Sequence, residues 1–436
     1  MNSVLKKIIV AALTWEARAV LRKYNPKVIA ITGSVGKTST KDAVYAVVSQ
    51  RFSTRKSEKS FNSEVGLPLT ILGAPNAWHN PLRWLQNLLD GLVLLAFNSR
   101  YPEWLVLEVG ADRPGDIRTL VPWLKTDIVA ITRLPERPVH VEFFESTEAV
   151  VEEKAALIDT LRAGGTLLLF ADDPRTAALA HRLPAPDARI MTFGFGEGAE
   201  VRGLDAAILY DEERGARQPV GMKGLVRIRG ALLPYTLIGA LGAHAALPLI
   251  IAAAVGEALN LEPREIAAGV ASYRPAPGRM RLLPGLKGSL IIDDTYNSSP
   301  AALEAALEVL GEIKSKRAIA ILGDMLELGR TSVAEHRTMG ALAAKHCNLL
   351  LTVGFRARDI AQGALDAGMT DEQILQYEDA RAAGAELKNL LEPGDAVLAK
   401  GSQSMRCERV VEEIMLEPER AAELLVRQDR EWKKRQ

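Results

Sequence analysis

"KVIAITGSVGKTSTKDAV", residues 27–44, decides the fold of this chain. Val28–Thr32 is a short apolar run, Gly33–Ser39 is a glycine-containing loop, and Thr38–Gln50 continues at helical period. A strand, a loop with two glycines and a helix N-terminus together expose several backbone N–H groups, the arrangement that binds phosphate. Lys37 is placed to reach the β- and γ-phosphates of a nucleotide, and the Thr38 hydroxyl to ligate Mg²⁺. The loop is short. The common pattern puts about four residues between its glycines, whereas here only Ser34 and Val35 separate Gly33 from Gly36.

Outward from the loop, apolar runs recur at Trp104–Val109, Asp127–Thr132 and Thr166–Phe170, with a helical stretch at Ser146–Leu161. Alternation of this kind predicts a mostly parallel α/β sheet. Residues 195–240 change to short alternating runs and read as a small β-rich insertion; an apolar helix, His244–Leu259, follows. "YRPAPGRM", residues 273–280, is the best linker in the chain. Beyond it the alternation restarts, with runs that include Leu290–Asp294, Ala318–Leu322, Leu349–Val353 and Ala396–Lys400, which predicts a second doubly wound, Rossmann-like unit of five strands. The last twenty residues read as an exposed charged helix. The expected division is an N-terminal helix at 1–26, an ATP-binding unit at 27–275 and a Rossmann-like unit at 276–436.

At 436 residues the chain is too long for one ordinary core. Its formal net charge is zero, yet residues 1–60 hold twelve Lys or Arg against three acids. That asymmetry is either a solvated face or a funnel for a polyanion such as a nucleotide or an anionic membrane surface. Two cysteines make neither a disulfide framework nor a metal cluster, which fits a reducing cytoplasm. Ile8–Leu13 is too short to span a bilayer. Leu82–Phe97 carries Arg83, Gln86 and Asp90 and reads as an amphipathic helix packed on the protein rather than a membrane span.

The short loop resembles the ATP loop of the Mur ligases, which build the peptide of bacterial cell-wall precursors. The resemblance continues in order: "FNSEVGLPLTIL" (61–72), "LVLEVGADRPGDI" (105–117), "VHVEFFESTEAVVEEKAALI" (139–158), "GRMR" (278–281), "IIDDTYNSSPAALEAAL" (291–307), "ILGDMLELG" (321–329) with His336, and "GDAVLAKGSQS" (394–404). These motifs span roughly residues 27–415. "DDTYNSSP" and "GDMLELG" are similar to the branch of the family that adds D-alanyl-D-alanine.

The resemblance implies ATP-dependent amide synthesis: a peptide carboxylate attacks the γ-phosphate, and an amine captures the acyl phosphate. Two anions meet in the first step, so neutralising charge is the main demand. By resemblance, Gly33, Ser34, Val35, Gly36, Lys37, Thr38 and Ser39 cradle ATP, with Asp294, Tyr296, Asp324 and Lys400 on the nucleotide side of the cleft. Thr38 and Glu108 ligate one Mg²⁺. His140 and a carbamylated Lys154 ligate a second, although spacing alone reads Lys154 as a solvent-facing lysine on a Glu-rich helix. Arg279 approaches the γ-phosphate; Asn62, Asn297 and Ser298 lie near substrate. Asp293 and Ser299 are either functional or ordinary turn and cap residues. The site halves fall on different units, so closure about the linker near residue 275 is expected.

Two departures from the family pattern bear on the substrate. Only one helix precedes Lys27, so the domain that holds the UDP end of the precursor is expected to be missing, with the basic N-terminal helix and Leu82–Phe97 as candidates to replace it. Ser60, Ser63 and Arg133 stand where amides are usual, and "GAHAALPLIIAAA" (242–254) keeps His244 but has Ala245 and Pro248 in place of asparagines near adenine. The partners implied are a muramoyl peptide and D-Ala-D-Ala, with no nucleic acid, a monomeric chain in the cytoplasm, and a weak membrane-surface or protein contact through the N-terminal helix. A ligase with another amine, similar to folylpolyglutamate or cyanophycin synthetases, stays open. So does a nucleotide-binding subunit that needs a partner. A P-loop kinase or GTPase lacks support, because the Walker-B context is absent and a second doubly wound unit is present.

Overall fold

A computed structural model describes residues 3–58, 62, 64–78, 80–136, 141–183, 187–211 and 218–434. Two sheets organise them. The first contains β1 (Lys27–Thr32), β2 (Thr54–Lys56), β3 (Trp104–Glu108), β4 (Thr126–Ile131), β5 (Leu161–Phe170), β6 (Arg189–Gly194), β7 (Val201–Asp211), β8 (Gln218–Ile228) and β9 (Ala231–Ile238), in the order β2-β3-β1-β4-β5-β6-β7-β8-β9. Pairing is parallel as far as β7 and antiparallel across β7-β8-β9. The stretch read as a separate insertion at 195–240 therefore continues the main sheet. The antiparallel pairs β7-β8 and β8-β9 extend it, while β7 still joins the parallel edge at Phe193 and Gly194.

Helices cover both faces. α1 (Ser3–Tyr24), α3 (Gly66–Leu72) and α4 (Pro81–Ala96) lie on one side; α2 (Lys37–Val48), α7 (Ala243–Ala258) and α8 (Pro263–Ser272) lie on the other. The two-residue period of β1 divides the layers. Val28 and Ala30 join the cluster containing Leu13 and Val20 of α1, while Ile29 and Ile31 join Val44 and Val47 of α2. Each such valine, leucine or isoleucine side chain, once fully buried, stabilises the fold by roughly 1.5–3 kcal/mol. α5 (Thr147–Ala155), capped by the Ser146 hydroxyl on Ala149 N–H, leads into β5. A single turn, α6 (Pro174–Ala177), follows it.

The second sheet has six strands rather than five, in the order β10-β11-β15-β12-β13-β14. These are β10 (Arg281–Pro284), β11 (Leu290–Asp294), β12 (Arg317–Gly323), β13 (Leu349–Val353), β14 (Ile374–Tyr377) and β15 (Asp395–Lys400). All pairs are parallel except β10 with β11. Its helices are α9 (Pro300–Glu312), α10 (Ser332–His346), α11 (Arg358–Asp366), α12 (Ala380–Leu390) and α13 (Glu408–Ile414). One apolar cluster runs from Val47 and Ile251 of the first unit to Leu307 and Leu398 of the second, so the two sheets share buried contacts.

The C-terminal segment corrects the sequence reading. Instead of one exposed helix it contains two single turns, α14 (Ala421–Leu424) and α15 (Arg430–Lys433), separated by a bend at residues 425–427. Ala421, Leu424, Leu425 and Arg427 are buried. Arg427 donates to the Thr295 and Tyr296 carbonyls and to Glu408, and these bonds hold the segment against the second sheet.

Candidate active site

The loop between β1 and α2 takes its shape from its glycines. Gly36 has φ +83°, a left-handed conformation that side chains disfavour, and is the N-cap of α2. At Gly33 an added Cβ would lie 1.9 Å from Thr132 Oγ1. That threonine donates to the Val35 carbonyl at 2.7 Å, and Ser34 N–H donates to the Arg133 carbonyl at 3.0 Å. The end of β4 thus fixes the loop. Lys37 Nζ bonds the Gly33 carbonyl at 2.9 Å, which folds the ammonium back over it. Burial holds the Lys37 amine below the usual lysine range, against the opposing pull of Glu108.

Four side chains then link the two units. Arg279 donates to Thr38 Oγ1 at 3.1 Å across 241 residues of sequence. Thr38 donates to Glu108 Oε1 at 3.1 Å, and Asn62 donates to the same oxygen at 3.2 Å. Arg279 is itself set by Tyr296, whose ring centroid lies 3.8 Å from the guanidinium carbon. Strand register explains the rest. Asp294 pairs with Lys400 at the C-terminal ends of β11 and β15, so Lys400 Nζ reaches Asp294 Oδ2 at 2.6 Å and the Asn297 carbonyl at 2.8 Å. Loops beyond the C-terminal ends of parallel strands are where α/β sites form.

These residues enclose a cavity of about 340 Å³ lined by the 34–38 loop segment, Asn62, Glu108, Asp112, Arg279, the 296–299 turn and Lys400. Three buried polar atoms on its wall have no hydrogen-bond partner: Ser34 Oγ, Glu108 Oε2 and Ser298 Oγ. Buried polar groups are normally satisfied, so three orphans around one cavity mark a place for a polar ligand. The carboxylate oxygen beside the Thr38 hydroxyl also suits a hard divalent cation, which takes oxygen donors. Among the described residues, no group of three His, Cys, Asp or Glu gathers as a complete metal cage. A smaller cavity, about 70 Å³, adjoins the loop and includes Ser39, His244, Ala245, Pro248, Tyr273 and Asp294. His244 is kept neutral chiefly by burial, and its Nε2 also has no partner.

Other expected residues fall differently. His140 lies outside the described residues. Lys154 is buried rather than solvent-facing, because α5 turns that side of the helix inward. Its neighbour Glu153 is buried too, accepting the N–H groups of Ile117 and Arg118 at 2.7 and 3.0 Å. Burial first, then the charge of Lys37, pushes the Lys154 amine down to about 7. Asp324 lines neither of these cavities: its Oδ1 accepts Ala357 N–H at 2.8 Å, a bond that orients the chain entering α11. Asp293 and Ser299 both hold structural partners, Ser299 from the cavity wall. Asp293 accepts Gly278 N–H and both the N–H and hydroxyl of Thr295, and Ser299 caps α9 through Ala302 N–H.

A larger cavity, about 760 Å³, opens on the other side of Thr38 and Arg279. Its wall includes Lys41, Asp42, Lys56, Trp78, Tyr296 and the C-terminal residues Val426, Arg427 and Trp432. Sequence reading missed Lys41, although its four-residue offset from Lys37 puts both on one helical face. Lys41 is buried, 3.4 Å from Asp42 and 4.0 Å from Glu108. Asp112, four residues after Glu108, was missed as well, as was the C-terminal wall.

With this geometry in view, the family model of the Mur ligase middle domain matches residues 31–82 and 86–254, and that of the Mur ligase, glutamate ligase domain matches 278–403. The chain belongs to the Mur ligase family. It is 28% identical over 409 residues to the UDP-N-acetylmuramoyl-tripeptide–D-alanyl-D-alanine ligase of Bacillus subtilis, covering 93% of this chain and 80% of that one. The enzyme of the same name from Mycobacterium leprae is 29% identical, over 91% of this chain and 75% of its own. Among solved structures, the MurF ligase of Thermotoga maritima in complex with ADP is 26% identical with a TM-score of 0.72, covering 93% of this chain and 83% of that one. A folylpolyglutamate synthase from Mycobacterium tuberculosis shares the fold, at TM-score 0.63 and 17% identity over 90% of this chain and 92% of its own. Among the described residues, no helix of this Mur ligase family member is long and apolar enough to cross a membrane.

Proposed function

We propose that the protein is an ATP-dependent, ADP-forming ligase that joins D-Ala-D-Ala to the terminal carboxylate of a muramoyl tripeptide in cell-wall precursor synthesis. One observation carries the chemistry: Thr38 and Arg279 line both the phosphate-loop cavity and the larger cavity beside it. A γ-phosphate in the first and a carboxylate in the second would meet at that shared wall. The named relatives support the choice of acceptor and amine.

In this reading, the backbone of Gly33–Gly36 and Lys37 hold the β- and γ-phosphates, while His244 Nε2 faces the base. The carboxylate oxygen attacks the γ-phosphorus and the bond to the ADP oxygen breaks, leaving an acyl phosphate. Arg279 neutralises the two anions as they approach, and Lys41, Lys56 and Arg427 draw the acidic peptide into the larger cavity. The amine nitrogen then attacks the acyl carbon, phosphate leaves, and the surplus amine proton passes to solvent. Thr38 and Glu108 would hold a Mg²⁺, which supplies positive charge to the transferring phosphoryl group. A carbamylated Lys154, with His140, would hold a second; carbamylation turns a poorly solvated cation beside Lys37 into an oxygen donor. Asn62, Asn297 and Ser298 face substrate. Asp294 and Lys400 fix the nucleotide side from the second unit, and the division near residue 275 separates the two roles. Since one chain supplies both halves, we propose a monomer, working in the cytoplasm where ATP is at hand.

The test is phosphate release from ATP and Mg²⁺ with UDP-muramoyl-tripeptide, comparing D-Ala-D-Ala, diaminopimelate, glutamate and no amine. Release that depends on D-Ala-D-Ala is expected. Dependence on another amine would replace the substrate, and release indifferent to any amine would leave a plain ATPase. Lys154→Ala is expected to lose activity that short carboxylic acids restore, because they return an oxygen donor to the space.

A further inference from the structure

Eight of the fourteen exposed large apolar side chains described in this protein sit on α1 and α4 or at the end of α4. On α4, Leu82, Leu85, Leu89, Leu92 and Val93, with Phe97 just beyond, are 45–77% exposed. Steps of three and four residues put the leucines and valine in one stripe. Trp84, Asn87 and Gly91 occupy the buried side. The polar residues Arg83, Gln86 and Asp90 form only an edge between these faces. The helix is thus packed on the protein, as its sequence predicts, and also apolar on the side turned away. On α1, Ile8 and Trp15 are each 60% exposed.

The two helices form one rigid pair. A Cβ on Gly91 would lie 2.2 Å from the Glu16 carboxylate, so the chains touch at that point. At their C-terminal ends, Lys23 Nζ donates to the Leu94, Leu95 and Phe97 carbonyls, and the Tyr24 hydroxyl to Leu94. Exposed charge on the two helices and just beyond α4 is unequal. Lys7, Arg18, Arg22, Arg83 and Arg100 are exposed, against Asp90 as the exposed acid on α4 and a Glu16 that is buried. A second copy placed face to face would bring these cations together. An anionic surface would meet them favourably, with tryptophan, phenylalanine and leucine side chains entering an apolar layer.

We propose that the α1–α4 face docks this ligase on an anionic lipid surface, lying in the interface rather than crossing it. The inference stands on these two helices alone and is independent of which amine the enzyme uses.

The experiment is co-sedimentation of the full chain with vesicles of phosphatidylcholine alone or mixed with phosphatidylglycerol, at low and high salt. Binding at least about tenfold tighter to the anionic vesicles, weakened by salt, is expected. Leu85→Glu with Leu89→Glu should lower that binding by about tenfold or more, since both side chains would have to enter the apolar layer. Arg18→Glu with Arg22→Glu should remove the preference for anionic lipid. Unchanged melting temperature and ligase turnover in both pairs would show that the fold is intact. No binding to either vesicle would overturn the proposal, and so would equal binding to both. A concentration-dependent dimer in sedimentation velocity, dissolved by the leucine pair while lipid binding is absent, would assign the face to a second copy instead.

Discussion

The two halves of the cleft are charged alike and built differently. On the loop side, Ser34 Oγ and Glu108 Oε2 are buried without hydrogen-bond partners, and burial holds Lys37, Lys41 and Lys154 below the normal lysine range. On the other side, charges are matched within the unit. Lys400 meets Asp294, Asp293 accepts three hydrogen bonds, and Glu408 lies between Arg406 and Arg427. The first half is electrostatically incomplete until a ligand enters it. The second is a platform that matches its charges internally, although Ser298 Oγ and Arg427 Nε are buried without partners there too, and it projects Arg279 toward the first. Affinity for nucleotide should therefore reside in one half, and alignment in the other.

Kinetics should separate them. Lys37→Ala is expected to lower amine-dependent turnover about 10³-fold, and Arg279→Ala about 10²-fold, with melting temperatures near that of the parent. Equal losses would break the division between an incomplete half and a platform. In the platform, Glu408→Gln leaves two buried guanidinium groups without their shared counter-charge. Urea unfolding should show a loss of about 3 kcal/mol, whereas a change within error would mean that the network is not part of the platform's stability.

The pH dependence of stability sharpens the loop side. An unfolded lysine keeps its proton up to about pH 10.4, while folded Lys154 releases it near 7. Between those values the unfolded chain binds more protons, so stability should rise as pH rises. Measured without bicarbonate, unfolding of the parent against Lys154→Met should show a steeper rise for the parent from pH 7 to 10. Parallel curves would place the amine in a better-solvated setting. The smallest effect belongs to Ser299→Ala, which removes only the cap of α9. It should cost about 1 kcal/mol of stability and leave the Michaelis constant for ATP unchanged.

Much of this was legible along the chain because the signals are local. The short apolar run of β1, the glycines of the loop and the helix that follows act over a dozen residues, and the structure places them as read. Strand ends at Glu108, Asp294 and Lys400 were legible for the same reason: a polar residue closing an apolar run sits where a parallel sheet presents its site. Lys154 was misread from spacing, because neighbouring glutamates suggest a wet face. Glu153 is in fact buried against the N–H groups of Ile117 and Arg118, which no local pattern announces. The C-terminal segment failed likewise, since Arg427 spends its charge on Thr295, Tyr296 and Glu408 rather than on solvent.

The sequence by itself determined the parallel α/β architecture and the strand, glycine loop and helix that carry Lys37 and Thr38, because each follows from local pattern or from residue chemistry at fixed offset. Only the tertiary structure decided which groups meet: Arg279 on Thr38, Lys41 beside Glu108, and the C-terminal tail as a cavity wall. It also decided that α4 buries one apolar side and leaves another bare. Contacts across some 240 residues depend on how two sheets dock, and the energy of that docking is shared among many buried side chains rather than written in any one stretch.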